Sequence, residues 1–224
     1  KNLWADWVVN AIPGTKADLY TDKLKNPVTR LLLGPDYALL RPDFAKQVSP
    51  DSARERAGRV FVCAGGGDDK QVLTLLLGSL LSMGEALTLC VVSTSTNPGL
   101  SDLLHWIHQN GNGNVELRID TDDMPALMRS CAVAVASAGT LTYEINCTGL
   151  PMVLFSMADN QTDQARAWAA STGARYLGDY KQLAVAAIQS AVSELLVNTE
   201  APVNRLVDGQ GAGRIVQEMM EFSA

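Results

Sequence analysis

Three short stretches of the chain join small residues to polar groups in a way that suits phosphate and sugar binding. Ser137-Ala138-Gly139-Thr140 follows an apolar run and opens a helical pattern that carries one carboxylate, Glu144. Small residues let a ligand approach the backbone, and a helix start offers free N–H groups to phosphate. Thr140 and Glu144 share a helix face. A carboxylate one turn down that face is placed to accept two hydrogen bonds from a ribose diol. The plainer alternative makes Thr140 a helix cap and Glu144 a solvated residue.

Gly65-Gly66-Gly67-Asp68 also follows an apolar run and precedes a helix. It is neither G-x-G-x-x-G nor a Walker A loop, which needs G-K-[S/T]. A phosphate-binding turn and an ordinary tight βα turn are both open readings. Asp159-Asn160-Gln161 lies between a strand pattern and a helix, where its side chains would cap the helix or hydrogen-bond a sugar. His105 and His108 sit beside Trp106 with no third ligand on their face, and there is no H-E-x-x-H or Ser-His-Asp order. No metal and no cofactor is expected, and the acidic residues Asp120, Asp122 and Asp123 read as capping a helix from Met124 to Arg129.

The elements that must position these groups follow from the apolar pattern. Residues 6–12 and 29–33 read as strands, 14–30 as a loop, and the polar residues 47–58 as a linker. From Arg59 onward short apolar runs alternate with helical segments of about ten residues, giving six strands between 60 and 177. The runs barely alternate in polarity, as befits strands buried on both faces. The expected fold is α/β, a Rossmann-like parallel sheet covered by helices on both sides. Its polar strand ends lie along the edge where open α/β sheets bind ligands.

A chain of 224 residues with 47% hydrophobic and 19% charged residues can build a sizeable core. Its net charge of −6 and pI near 4.9 argue against a nucleic-acid or anionic-membrane partner. An anionic ligand would have to be held by oriented N–H groups and helix dipoles. Cys63, Cys90, Cys131 and Cys147 stand singly in apolar surroundings, which reads as reduced thiols in a cytoplasmic setting rather than zinc or disulfides. No apolar run is long enough to span a bilayer. The opening Lys1-Asn2-Leu3, without an initiator Met, is expected to continue something upstream.

Several stretches occur together in one order: Gly34-Pro35-Asp36-Tyr37-Ala38-Leu39-Leu40-Arg41-Pro42-Asp43-Phe44, Gly65-Gly66-Gly67-Asp68, Asp123-Met124-Pro125-Ala126-Leu127-Met128, Ser137 to Thr140 with Tyr143-Glu144, and Asp159-Asn160-Gln161. Together they resemble the PseG-like UDP-sugar hydrolases of pseudaminic acid biosynthesis, whose fold is GT-B, like that of the peptidoglycan N-acetylglucosaminyl transferase.

The resemblance implies the C-terminal half of a GT-B enzyme that binds UDP or a UDP-sugar. Residues 1–58 would be the remnant of an N-terminal domain and the crossover, and 59–224 the UDP-binding domain. Gly66, Gly67 and Asp68 would lie near the phosphates. Ser137, Gly139 and Thr140 would bind the diphosphate, Glu144 the ribose, the stretch from Ile119 to Met124 uracil, and Asn160 and Gln161 the sugar. The family's catalytic histidine belongs to an N-terminal domain expected in cis, and neither His105 nor His108 matches its context. No catalytic residue is therefore assigned here. The C-terminal half of a GT-B glycosyltransferase would look much the same, and a non-catalytic nucleotide-binding module is a third reading.

Overall fold

The computed structural model describes residues 2–46, 53–67, 69–84, 86–197 and 203–222. Its framework is a six-stranded parallel sheet in the order β5-β4-β3-β6-β7-β8. The strands are β3 (Arg59–Cys63), β4 (Thr88–Ser93), β5 (Val115–Ile119), β6 (Val133–Ser137), β7 (Met152–Ser156) and β8 (Arg175–Asp179). A separate parallel pair, β1 (Trp7–Asn10) and β2 (Arg30–Leu33), is registered Trp7 to Arg30. The first strand is shorter than its apolar run, and a 3-10 turn from Ala17 to Tyr20 interrupts the expected loop.

Helices lie on both faces of the large sheet. They are α1 (Pro42–Ala45), α2 (Ala53–Arg56), α3 (Val72–Leu81), α4 (Leu100–Asn110), α5 (Met124–Arg129), α6 (Leu141–Thr148), α7 (Thr162–Thr172), α8 (Val185–Val197) and α9 (Gly211–Phe222). Of the expected linker over 47–58, residues 47–52 lie outside the described residues, and 53–56 form the single turn α2. Among the described residues no helix is long and apolar enough to cross a membrane.

Successive strand residues feed two cores, because side chains on a strand alternate between faces. Val60, Val62, Leu89, Val91, Val133 and Val135 pack with α3 and α8. Phe61, Cys63, Cys90, Ala134, Ala136 and Leu154 pack on the other side with Trp168, Ile145 and Met128. Both sets are apolar, so the strands read as unbroken hydrophobic runs. Helix α3 docks through Leu73, Leu76, Leu77 and Leu80, each at most 1% exposed. That spacing keeps one stripe on the sheet, and each such side chain contributes roughly 1.5–3 kcal/mol on burial.

The sheet order places the site. The chain runs outward from β3 to β4 and β5, then returns to lay β6 on the other side of β3. The loops leaving β3 and β6 therefore diverge, opening a crevice at the carboxyl ends of these two strands.

The last helix, α9, closes back on the first part of the chain. Gly211 lies so near the turn after β2 that a Cβ there would be 2.2 Å from the Ala38 carbonyl oxygen. Arg30 and Glu218 form an ion pair at 3.2 Å, and Arg214 donates to the Asp36 carbonyl at 3.0 Å. By these contacts α9 belongs as much to the Gly34–Ala45 segment as to the sheet.

Candidate functional site

At that crevice lies a cavity of about 670 Å³, within the usual range for small-molecule sites. Gly65, Gly66 and Gly67 after β3 form one wall. Ser137, Gly139, Thr140 and Glu144 at the β6–α6 junction form the second, and Asn160, Gln161 and Gln164 the third. The remaining side comes from Thr94 after β4 and from Asp120, Thr121 and Met124 after β5.

The two small-residue loops touch each other. Gly65 adopts φ +109°, which an L side chain rarely tolerates, and a Cβ there would lie 3.4 Å from Ser137 Oγ. Thr94 Oγ1 donates to the Gly66 carbonyl at 3.1 Å, tying the glycine turn to the next strand end. Asp68 lies outside the described residues. Helix α3 begins at Val72 rather than at Lys70, because buried Asp69 accepts the N–H of Gln71 at 2.9 Å. That short bond holds Lys70 and Gln71 at φ +50° and +64°, a left-handed pair that costs backbone energy in residues other than glycine.

At the start of α6, Thr140 occupies the cap position, but its side chain makes no capping hydrogen bond. Glu144 is half-buried, with no hydrogen-bond partner among the described residues. Burial pushes its carboxyl pKa up, and the charge of Arg41 opposes that shift. A half-buried carboxylate without a partner carries an unmet need for donors. Asp120, also on the cavity wall, is already committed to Ser95, whose hydroxyl first and N–H second, the latter at 3.0 Å, lower its pKa.

The third wall is built by amides. Asp159, Asn160 and Gln161 form a 3-10 turn, and none of them supplies a side-chain cap to α7. Gln161 Oε1 accepts the N–H of Met157 at 2.8 Å, which leaves its Nε2 beside Gly139. Gln164, one helical turn on, donates to the Gly139 carbonyl at 2.7 Å and to Thr142 Oγ1 at 3.0 Å.

Among the sequence candidates, Gly66, Gly67, Met124, Ser137, Gly139, Thr140, Glu144, Asn160 and Gln161 meet at this one cavity. Ile119 does not. It ends the edge strand β5 with 41% of its surface exposed, and the turn at Asp120, with φ +50°, carries the chain past it into the wall. In the acidic group Asp123 caps α5 by accepting the Ala126 N–H at 3.2 Å, while Asp120 serves the β4 loop instead. His105 and His108 are exposed on α4, outside the cavity lining.

Thr94 and Gln164 belong to no motif in the sequence, whereas Thr121 falls inside the stretch from Ile119 to Met124 expected at the base. The only local signal for Gln164 is its spacing from Gln161, three residues on and so near the same side of α7.

Chemically the described lining offers N–H groups, hydroxyls, amides and the carboxylate of Glu144. Burial pushes the Cys63 thiol up to about 11 and the Tyr143 phenol up to about 12, so both are neutral at pH 7. No histidine is among the described lining residues. Such lining groups can donate to an anion and accept from hydroxyls.

Comparison with known proteins agrees with this architecture. No family model matches the chain. It is 26% identical over 177 residues to the spore coat polysaccharide biosynthesis protein SpsG of Bacillus subtilis, covering 78% of this chain and 51% of that protein. It is 30% identical over 132 residues to the UDP-N-acetylglucosamine–N-acetylmuramyl-(pentapeptide) pyrophosphoryl-undecaprenol N-acetylglucosamine transferase of Thiobacillus denitrificans, covering 49% of this chain and 36% of that protein. The chain thus spans about half the length, or less, of these curated relatives. Among solved structures, MurG of Acinetobacter baumannii superimposes with a TM-score of 0.61 at 16% identity, over 97% of this chain and 60% of that one. The fold is α/β with a parallel six-stranded sheet, matching GT-B glycosyltransferases.

Proposed function

We propose that this chain is the donor-binding part of a GT-B enzyme and that its cavity holds UDP or a UDP-sugar. The observation that carries the reading is Glu144. A half-buried carboxylate without a hydrogen-bond partner, one turn down the helix from the uncapped start at Thr140, suits a ribose diol beside a diphosphate. The diphosphate would sit between Gly66, Gly67 and the Ser137–Thr140 turn. The base would face Asp120 to Met124, and the sugar Asn160 and Gln161.

For the reaction, glycosyl transfer is the better supported reading, because a named transferase stands among the relatives. Hydrolysis of a UDP-sugar, including the diacetamido-trideoxy sugar of pseudaminic acid biosynthesis, is the second reading. Residues 34–44, with their Gly-Pro-Asp-Tyr-Ala-Leu-Leu-Arg-Pro-Asp-Phe pattern, favour it. Both reactions need the same grip on a departing UDP, since stabilising the developing negative charge lowers either barrier. In either case the group that activates water or acceptor would come from elsewhere in a longer protein.

Titration calorimetry tests the binding reading. The chain is expected to bind UDP more tightly than ADP, and Glu144→Gln is expected to weaken UDP by about tenfold, the loss of charge-assisted hydrogen bonds. Absence of UDP binding at millimolar concentration defeats it. UDP release from a UDP-sugar without any acceptor, measured on the longer protein, decides between hydrolysis and transfer.

A further inference from the structure

The two glutamines of the third wall look interchangeable in sequence, yet their amides are spent differently. Gln164 Nε2 donates both to the Gly139 carbonyl at 2.7 Å and to Thr142 Oγ1 at 3.0 Å. Its Oε1 accepts from the Tyr143 hydroxyl at 3.4 Å. A carbonyl can only accept, so the nitrogen of Gln164 must be the atom facing Gly139, and the orientation of the amide follows. Both of its N–H groups are occupied within the protein.

The Gly139 carbonyl is the centre of this cluster. It also receives the Thr142 backbone N–H at 3.1 Å and the Thr142 hydroxyl at 2.7 Å. In a trans peptide the carbonyl and the following N–H point in opposite directions. A Gly139 carbonyl held toward α7 therefore aims the Thr140 N–H the other way, and no described group accepts from it. Rotating that one peptide would present an oxygen to an incoming phosphate instead of a donor. Glycine has no side chain to hinder that rotation, so the hydrogen bonds from Thr142 and Gln164 are what oppose it.

We propose that Gln164 is a positioning residue for the diphosphate, acting by latching the Gly139–Thr140 peptide with its N–H outward rather than by touching the sugar. The proposal rests on reading the cavity as a UDP site. The latch belongs to α7 and the peptide to the β6–α6 junction, so two elements must be docked before the site is formed. Gln161 has the complementary job. Its oxygen is held by Met157, so only its N–H groups face outward, and they suit an acceptor on the ligand.

Calorimetry of the chain with UDP and with UMP tests the latch, because neither ligand carries the donor sugar that would face Asn160 and Gln161. Gln164→Leu is expected to lose about tenfold in UDP affinity, with a smaller loss for UMP, which lacks the second phosphate. Gln164→Glu keeps the volume but replaces the donor with an ionised acceptor. It is expected to bind UDP weakly at pH 8 and to close the gap to the unmodified chain as acidification protonates the new carboxyl and restores an O–H donor. Unchanged UDP affinity in Gln164→Leu overturns the proposal, even if a UDP-sugar binds more weakly, since that result makes Gln164 a sugar contact. A pH-independent deficit in Gln164→Glu overturns it as well. If the unmodified chain binds no UDP, the underlying reading fails and the latch with it, whereas normal binding in that chain isolates a failure to Gln164 alone.

Discussion

Asn146 Oδ1 accepts the backbone N–H of Leu206 at 2.8 Å, deep inside the protein on the helix whose start faces the cavity. The same oxygen accepts the Val207 N–H at 3.1 Å, and its Nδ2 donates to the Asn204 carbonyl at 3.0 Å. Asn146 has no exposed surface. One side chain thus satisfies three backbone groups of the irregular segment that leads into α9. The helix that would hold the ligand and the path back to the Gly34–Ala45 segment are mechanically one unit.

Replacing Asn146 with Leu would keep the volume and leave two N–H groups and a carbonyl without partners, the Val207 N–H buried and the other two partly so. Each such group costs about 1–3 kcal/mol. We expect a total loss of about 3 kcal/mol in chemical denaturation, with some of the penalty relieved where the segment swings out to water. A variant as stable as the unmodified chain would mean that the segment is not held by Asn146.

Arg41 and Glu144 should be coupled across the α1–α6 contact. Phe44 on α1 is buried, and its carbonyl accepts from Cys147 Sγ at 3.5 Å. Arg41 immediately precedes α1, and its charge acts on Glu144. Burial raises the Glu144 pKa and Arg41 lowers it, while the neighbouring thiol of Cys63 is neutral at pH 7. A raised carboxyl pKa means that the folded state keeps its proton longer than the unfolded chain. Stability is therefore lost as pH rises from the ordinary carboxylate value through the folded one. Glu144→Gln should escape that loss and be no less stable than the unmodified chain at pH 7. UDP affinity should fall as acid protonates Glu144, and Arg41→Ala should move this fall to higher pH, measured against Glu144→Gln as the baseline. An unmoved profile would show that Arg41 does not tune the site.

The docking of α9 can be tested through one glycine and one ion pair. A Cβ at position 211 would meet the Ala38 carbonyl oxygen at 2.2 Å and its nitrogen at 2.8 Å, both backbone atoms that cannot step aside. Gly211→Ala should cost about 1–3 kcal/mol through overpacking and should raise hydrogen exchange along α9. The pair of Asp208 with Arg214 is more exposed, and screening limits such pairs to below about 1 kcal/mol. Asp208 is held down to about 2 by the Arg214 guanidinium, from an ordinary 3.8. Its contribution is therefore present above that ordinary value and disappears as pH falls toward 2. Arg214→Ala should accordingly matter little at pH 7 and still less as pH falls through about 2, where its bond to the Asp36 carbonyl is what remains. A larger loss from Arg214→Ala than from Gly211→Ala would reverse the assignment of what holds α9.

The fold class was legible in the chain because it rests on local information. Val60–Cys63, Ala86–Val92 and Cys131–Ala136 are largely apolar on both strand faces, and helical segments separate them. Those two patterns admit little besides a parallel sheet covered on both sides. The small residues at 65–67 and 137–140 and the lone Glu144 could likewise be picked out, since a strand end followed by a helix start is a local signature. What the sequence could not settle was whether those residues meet. That depended on the order of the strands, which lays β6 beside β3 and so joins two loops about seventy positions apart. It also could not distinguish Gln161 from Gln164 or identify Asn146 as the anchor of a distant segment. Nor could it foresee that Ile119 would face outward while Asp120 turned the chain inward. Each of these outcomes is set by which hydrogen-bond partner a polar side chain finds across the fold. Composition and periodicity describe a residue's own element, and only tertiary packing supplies its partner.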